Sequence, residues 1–353
     1  MQTSVTDLGD AAQSRDVRDK SDATDRSDTV PGGTVDVVVI GGGAAGLNGA
    51  LMLARSRRSV VVVDGGTPRN APADGVHGLL ALDGTPPAEL YRRGRDEVRR
   101  YGGRVVAGTV VSAAPAPPQD GDLRFTVTLA DGRRLVARRL LVATGVRDVL
   151  PDVPGLERHW GRGVVHCPYC HGWEVRDEPI GILAAGPASV HQTLLFRQLS
   201  RDVVLFTRGT VLDADTRERL DARSVRVVDL PVQEVVEDAG GGIAGVRLAG
   251  GEVVPRRVLA VATTLQARTD GLDGLRLPME DAFGGTGRRY SSGMAGTTDV
   301  PGVWVAGNVT EPFAQVGASA AAGALAGAHI NAALATADTD AALAALAGRA
   351  RTA

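Results

Sequence analysis

The first thirty or so residues of this chain carry no apolar period, and ordered patterning begins abruptly at Val35. Val35–Ile40 (VDVVVI) is an unbroken run of β-formers, which predicts a strand buried on both faces. A glycine-rich turn follows, then an apolar helical segment from Ala44 to Arg57, then a second buried strand over Val60–Val63. This is a βαβ opening. Pro86–Tyr101 reads as an amphipathic, arginine-rich helix. From Arg104 to Leu141 three β runs succeed one another (RVVAGTVVSA, RFTVTLA, RRLVARRLLVAT). A turn at Ala130-Asp131-Gly132-Arg133 joins two of them, so the segment predicts an antiparallel meander inserted in the fold. LLVATG (Leu140–Gly145) closes the unit. A second βαβ unit then opens with a strand at Ile180–Leu183, a helix at Ala188–Leu199 and a strand at Val203–Phe206. Further β runs lie at Val225–Leu230, Ile243–Leu248 and Arg257–Val261. Gly302–Ala306 (GVWVA) supplies a last strand, and a long alanine-rich helix ends the pattern. The expected class is α/β, with the second βαβ unit inserted into the first.

Composition narrows the function. A length of 353 residues suits about two domains, and 43% apolar content is enough for a real core. The net charge of −2 and the 3% aromatic content offer neither a basic field nor stacking surfaces, so nucleic acid is not expected as a partner. Lys20, in the polar leader, is the sole lysine, which removes Schiff-base chemistry and a P-loop lysine. Residues 1–31 are rich in Asp, Arg, Ser and Thr and are expected to be disordered. The start lacks the basic and apolar regions of a secretory signal. The stretch Gly317–Ala335 comes nearest to a membrane span but is interrupted by Ser319, His329 and Asn331, and reads as a buried helix. The expectation is a cytoplasmic protein with no membrane partner.

The turn after the first strand holds Gly41, Gly43 and Gly46 in G-x-G-x-x-G spacing, with Ala44 and Ala45 between. The motif alone is weak, but here it leaves a strand and opens a helix, the context a dinucleotide pyrophosphate requires. Gly41 permits the tight turn, Gly43 admits the phosphate to the backbone, and Gly46 lets helix and strand pack closely. The helix N-terminus adds N–H donors and partial positive charge. Asp64 ends the second strand about twenty residues on, where an acid accepts from ribose hydroxyls.

The two cysteines are Cys167 and Cys170, in RGVVHCPYCHGWEV. Thiols two residues apart can close and open a disulfide reversibly, and a helix start at Cys167 would lower its pKa. His166 and His171 flank the pair and can move protons near neutral pH. A zinc site would need all four side chains to converge from six consecutive residues, which tetrahedral geometry disfavours, so no metal is expected. CPYC also occurs in glutaredoxin-like folds, but there it follows the first strand of a small domain. An inert buried pair is the remaining alternative.

The order of Gly-rich turn, LLVATG, DVPG, GRGVVHCPYCHG, second βαβ unit and GVWVAGNV resembles the low-molecular-weight thioredoxin reductases, class II pyridine nucleotide-disulfide oxidoreductases, over residues 35 to 333. The resemblance implies two Rossmann-like dinucleotide domains. An FAD domain (32–148 and 266–336, with the meander) would hold an inserted NAD(P)H-like domain (149–265) carrying the Cys pair, and residues 337–353 would form an alanine-rich tail. It implies FAD, with NAD(P)H as a second cofactor. Gly41–Gly46 would hold the FAD pyrophosphate and Asp64 the adenosine ribose. Gly65, Arg69 and Asn70 after the second strand, Thr144 and Gly145, and Gly307, Asn308, Gln315 and Val316 near the final helix would complete the flavin site. Asn308 stands where the family has Asp beside the ribitol. Cys170 would face the flavin and Cys167 the external disulfide, of a thioredoxin-like protein or a small molecule. Homodimers and a domain rotation that alternates the flavin between cysteines and nicotinamide are implied as well.

Four positions depart from that pattern. His171 follows the second cysteine where an Asp is usual, and CPYCHG is similar to dithiol oxidases of the gliotoxin and holomycin type. In the second phosphate turn, LAAGPAS, Gly186 is kept, but Ala184 replaces the first glycine, where a Cβ would crowd the turn, and Ser189 ends the motif. The basic cluster for a 2′-phosphate is reduced to Arg208 in Thr207-Arg208-Gly209. Ala314 stands where an Arg often precedes the Gln. An oxygen-dependent dithiol oxidase, with His171 as base, is therefore the alternative to a reductase, and a non-enzymatic redox sensor is a third reading. His77 and Trp173 are expected to serve loop bonding and packing, and His159, His191 and His329 call for no functional role.

Overall fold

The computed structural model describes residues 31–352 apart from Pro187, Phe283, Gly284 and Thr286, and the side chains of 350–352 are not described. The expected disorder of the leader therefore lies outside the described residues, save for Pro31.

The first lobe is built on one seven-stranded sheet. β1 (Thr34–Ile40), β2 (Val60–Asp64) and β3 (Arg104–Ala107) run parallel, and β4 (Val110–Gln119), β5 (Asp122–Leu129) and β6 (Arg134–Val142) form the antiparallel meander. The order is β3-β2-β1-β6-β5-β4. Two boundaries differ from the sequence expectation. RVVAGTVVSA is two strands, because Gly108 donates to the Asp64 carbonyl and breaks the run, leaving β3 in the parallel sheet and β4 in the meander. β6 belongs to both: its first half pairs antiparallel with β5, while its length pairs parallel with β1. The meander is thus a continuation of the nucleotide sheet rather than an insert. The expected Asp131-Gly132 turn joins β5 to β6, with Gly132 at φ +86°.

Helix α1 (Ala44–Arg55) buries Leu47, Ala50 and Leu53 against this sheet, and α2 (Pro87–Arg100) covers it with Tyr91 and Val98. The chain leaves through β7 (Val146–Val149) into the second lobe. Its sheet orders β11-β10-β9-β15-β8, all parallel, from β8 (Val164–Val165), β9 (Ile180–Leu183), β10 (Val203–Phe206), β11 (Arg226–Val228) and β15 (Val258–Val261). The short α3 (Pro168–His171), α4 (Ala188–Phe196) and α5 (Ala214–Ala222) accompany it, and a β12 (Val232–Glu237), β13 (Ile243–Leu248), β14 (Val253–Pro255) ribbon packs beside it. The chain returns through β16 (Thr264–Ala267), which pairs antiparallel with β7, so the two crossings lie side by side. β17 (Met279–Asp281) and β18 (Gly287–Tyr290) extend that small sheet. β19 (Val303–Val305) then joins β6.

Helix α6 (Val316–Thr352) packs on α1 through Ala326, Ile330 and Leu334. It runs through the segment read as a separate tail, because Ala and Leu sustain helix propensity without a breaker. It is long and apolar enough to cross a membrane by composition, with 28% of that window buried. Its first turns lie on the core, whereas Leu343 and Leu346 are exposed.

Candidate active site

The two lobes enclose a cleft of about 900 Å³. One end is the glycine turn, and its three glycines have different reasons to be there. A Cβ on Gly41, at φ +116°, would overlap the Ala143 carbonyl, and one on Gly46 would overlap the Gly41 carbonyl. Both are demanded by the protein's own packing. Gly43 is not: no protein atom lies within 4 Å of where its Cβ would be. The space opens on the cleft, beneath the N-terminus of α1, which has no side-chain cap and no acid in its first turn. A pyrophosphate fits such a cradle.

Asp64 lines the same end, held by the Gly66 N–H (2.9 Å) and by Arg95 of α2 (3.3 Å). Gly65, Asn70, Thr144 and Gly145 also line the cleft. Asn70 accepts from the Tyr91 hydroxyl (3.1 Å), and Thr144 donates to the Arg268 carbonyl (2.7 Å). Arg69 lines it too, but its guanidinium is committed: it donates twice to Asp148 (2.6 and 2.7 Å), which also accepts from Thr263 (2.6 Å). Burial works against ionising Asp148, yet the hydrogen bonds from Arg69 outweigh it and hold the carboxyl below its ordinary range.

At the other end Gln315 and Val316 start α6, and Asn308 fixes the approach to it by donating to the carbonyls of Glu311, Pro312 and Ala314 (3.1, 3.1 and 2.8 Å). Gly307, at φ +81°, leaves no room for a Cβ beside Ala45. Here the second lobe delivers the cysteines. Both are free thiols, and Cys167 is the N-cap residue of α3. The Gln315 amide reaches the Cys170 sulfur at 4.0 Å, so a side chain of one lobe touches the inner cysteine of the other.

The two thiols are electrostatically unequal. A hydrogen bond from Cys170 lowers the Cys167 pKa to about 6, with the Tyr169 and Cys170 N–H groups and Arg69 assisting against burial. Cys170 shifts far upward, because its proton is the one shared with Cys167 and because it is buried. Of the two, Cys167 is the one whose thiolate form is favoured. Burial lowers the pKa of His171 and of His166, which favours the neutral imidazole at each.

Three buried polar atoms that have no partner among the described residues, His171 Nε2, Gln192 Oε1 and Ser319 Oγ, belong to residues lining this cleft. Unsatisfied buried polar atoms are rare in folded proteins, and three around one cleft point to a ligand that satisfies them. Gln192, Ser319 and Arg95 were not anticipated from the sequence. Only Ser319, in the first turn of the helix after Gln315, had a local signal. His191, expected to be idle, also lines the cleft. Trp173, expected to pack, is 67% exposed under a stacked Arg176. His77 lies between Asp83 of its own loop and Glu174 of the second lobe, and His159 and His329 serve Glu237 and Trp304.

Gly186 and Arg208 sit together but away from the cleft walls. Ala184 stays out of the left-handed region that Gly41 occupies and packs its Cβ into the second lobe's core, so the expected crowding is avoided. The Ser189 hydroxyl, at the motif position that Gly46 takes in the first turn, accepts from the Ala185 N–H (3.0 Å). Arg208 donates to the Ala184 carbonyl (3.0 Å). Among the described residues no group of His, Cys, Asp and Glu is arranged to hold a metal.

The profile of the pyridine nucleotide-disulphide oxidoreductases matches residues 35–328. Thioredoxin reductase tcpT of Claviceps purpurea (strain 20.1) is 35% identical over 68% of this chain and 77% of its own length. Thioredoxin reductase sirT of Leptosphaeria maculans is 30% identical over 84% and 93%. The crystal structure of HlmI superposes with a TM-score of 0.84 at 42% identity, covering 92% of this chain and 99% of HlmI. With the glycine cradle, the paired thiols and these similarities together, the chain belongs to the pyridine nucleotide-disulphide oxidoreductase family, as an FAD-dependent disulfide oxidoreductase of the thioredoxin reductase kind.

Proposed function

We propose that the cleft seats FAD from the Gly41–Gly46 turn to the start of α6, and that Cys170 and Cys167 relay electron pairs between it and a small disulfide or dithiol. The observation that carries this reading is the approach of Gln315 to the Cys170 sulfur on the wall of that cleft. FAD supplies a two-electron store there. Gly43 leaves room for its pyrophosphate, and Gln315 and the α6 N-terminus lie where negative charge would be favoured. In the reductase direction, NAD(P)H is the donor, the Cys167 thiolate attacks the substrate disulfide, and the Cys170 sulfur then displaces the second substrate thiol. A cytoplasmic homodimer belongs to the same reading, as does a thioredoxin-like protein as the larger substrate.

A second reading, dithiol oxidation with oxygen as final acceptor, is favoured by the partner-free Nε2 of His171, whose pKa burial lowers, and by the altered second phosphate turn. His171 would take the proton from the incoming thiol. Anaerobic titration separates the two. Bleaching of the flavin by NADPH or NADH supports the reductase. Indifference to both, with bleaching by a small dithiol and peroxide formation on admitting oxygen, supports the oxidase. A colourless protein, or a flavin that none of these reduces, sinks both.

A further inference from the structure

Electrons can pass between the cysteines and a flavin only while the second lobe stays against the first, so the contacts across the seam matter. At one point the seam closes by backbone approach: Gly161, at φ +82°, comes so near Pro72 of the first lobe that a Cβ would lie 2.5 Å from the proline ring. At another it closes by charge. His77 sits on the loop that a bridge between Val76 and Thr85 ties off. Its Nε2 lies 3.4 Å from Glu174 Oε1, three residues beyond His171 in the other lobe. Its Nδ1 lies 3.5 Å from Asp83 Oδ2 in its own loop. Neither His77 nor Glu174 lines the cleft.

A carboxylate at each ring nitrogen suits an imidazolium, which donates from both. A neutral ring donates from one and turns a lone pair toward the other carboxylate. Nearby, His171 feels the charges of Glu174, His77 and Asp74 together. A proton on His77 also opposes one on His171, keeping the latter a base.

We propose that His77 and Glu174 are positioning residues: they clasp the cysteine lobe against the flavin cleft. This rests on the reading that the Cys pair exchanges electrons with FAD. The test uses the holoenzyme with Glu174→Gln, His77→Asn and the double substitution. One readout is alkylation of Cys170 by iodoacetamide after anaerobic reduction, followed by mass spectrometry. The other is the rate at which dithiothreitol bleaches the flavin. At low ionic strength, either single substitution is expected to raise Cys170 alkylation about three- to five-fold and to slow bleaching by a similar factor, the range of a partly exposed ion pair. Both differences shrink toward nothing as added salt screens the contact, and the double variant is no worse than either single. Effects of equal size at every salt concentration, additive effects, or no effect overturn the proposal. The alkylation arm needs no flavin turnover, so a wild-type flavin that resists reduction counts against the redox reading alone.

Discussion

The Cβ position of Gly46 lies 1.8 Å from the carbonyl oxygen of Gly41, while that of Gly43, between them, meets no atom of the surrounding chain within 4 Å. The two substitutions to alanine should therefore fail differently. Gly46→Ala forces strand and helix apart and should lower stability by about 3 kcal/mol or prevent folding. Gly43→Ala leaves the apoprotein's melting temperature within about 2 °C of wild type, yet weakens FAD binding at least ~10-fold by occupying the phosphate's place. Thermal melts of apoprotein beside flavin fluorescence titrations check this; equal melting losses for both would contradict it.

The thiol pair should show its asymmetry in pH. With Cys167 at about 6, alkylation of the reduced protein at this residue should rise through a midpoint near pH 6. Cys170→Ala removes the hydrogen bond that is the largest cause of that shift, so the midpoint should move up toward the ordinary thiol value of about 8.5. A midpoint unmoved by the substitution would mean that α3 and Arg69 alone set it.

Asp148 is 5% exposed and holds Arg69 and Thr263 at once. Asp148→Ala leaves a largely buried guanidinium without its counter-charge and should cost about 3 kcal/mol in urea denaturation; Thr263→Val should cost about 1 kcal/mol. The folded carboxyl titrates below an unfolded aspartate, so its contribution is complete above about pH 4 and fades as acid passes the folded value. Wild type, unlike Asp148→Ala, should lose that increment of stability on acidification; parallel curves would dismiss the argument.

His171 has its pKa lowered by burial, and Nε2 without a partner. His171→Asn should slow attack by a small dithiol about 100-fold while leaving NAD(P)H reduction of flavin, if present, within about two-fold. The acid limb of the dithiol reaction should lie below the ordinary imidazole range in wild type and vanish in the variant. Stopped-flow rates across pH decide it.

What was legible in the chain was local. Gly41, Gly43, Gly46 and Asp64 announce themselves because a phosphate turn needs fixed spacing, and Cys167 and Cys170 because two thiols three positions apart have few other uses. Most strands of the two large sheets could be read from Val- and Leu-rich runs, but not the two-residue β8. Less legible was whatever depends on the closing of the lobes. Gln192 and Arg95 sit on ordinary helix surfaces, and only tertiary packing turns them toward the cleft. Arg69 could be placed after the second strand, but not its capture by Asp148, which lies on a different strand 79 positions away. The split of RVVAGTVVSA at Gly108 escaped because the glycine's bond to Asp64 is long-range.

The antiparallel pairing of β7 with β16 sets entrance and exit of the second lobe on adjacent rungs of one ladder. Neighbouring strands stand about 4.8 Å apart, so a few residues would suffice to splice the first lobe shut. The lobe bearing the thiols is thus a cassette on a two-stranded stalk. Twisting that stalk reorients the cassette without lengthening any connection, and grafting the stalk's ends elsewhere would transplant it whole.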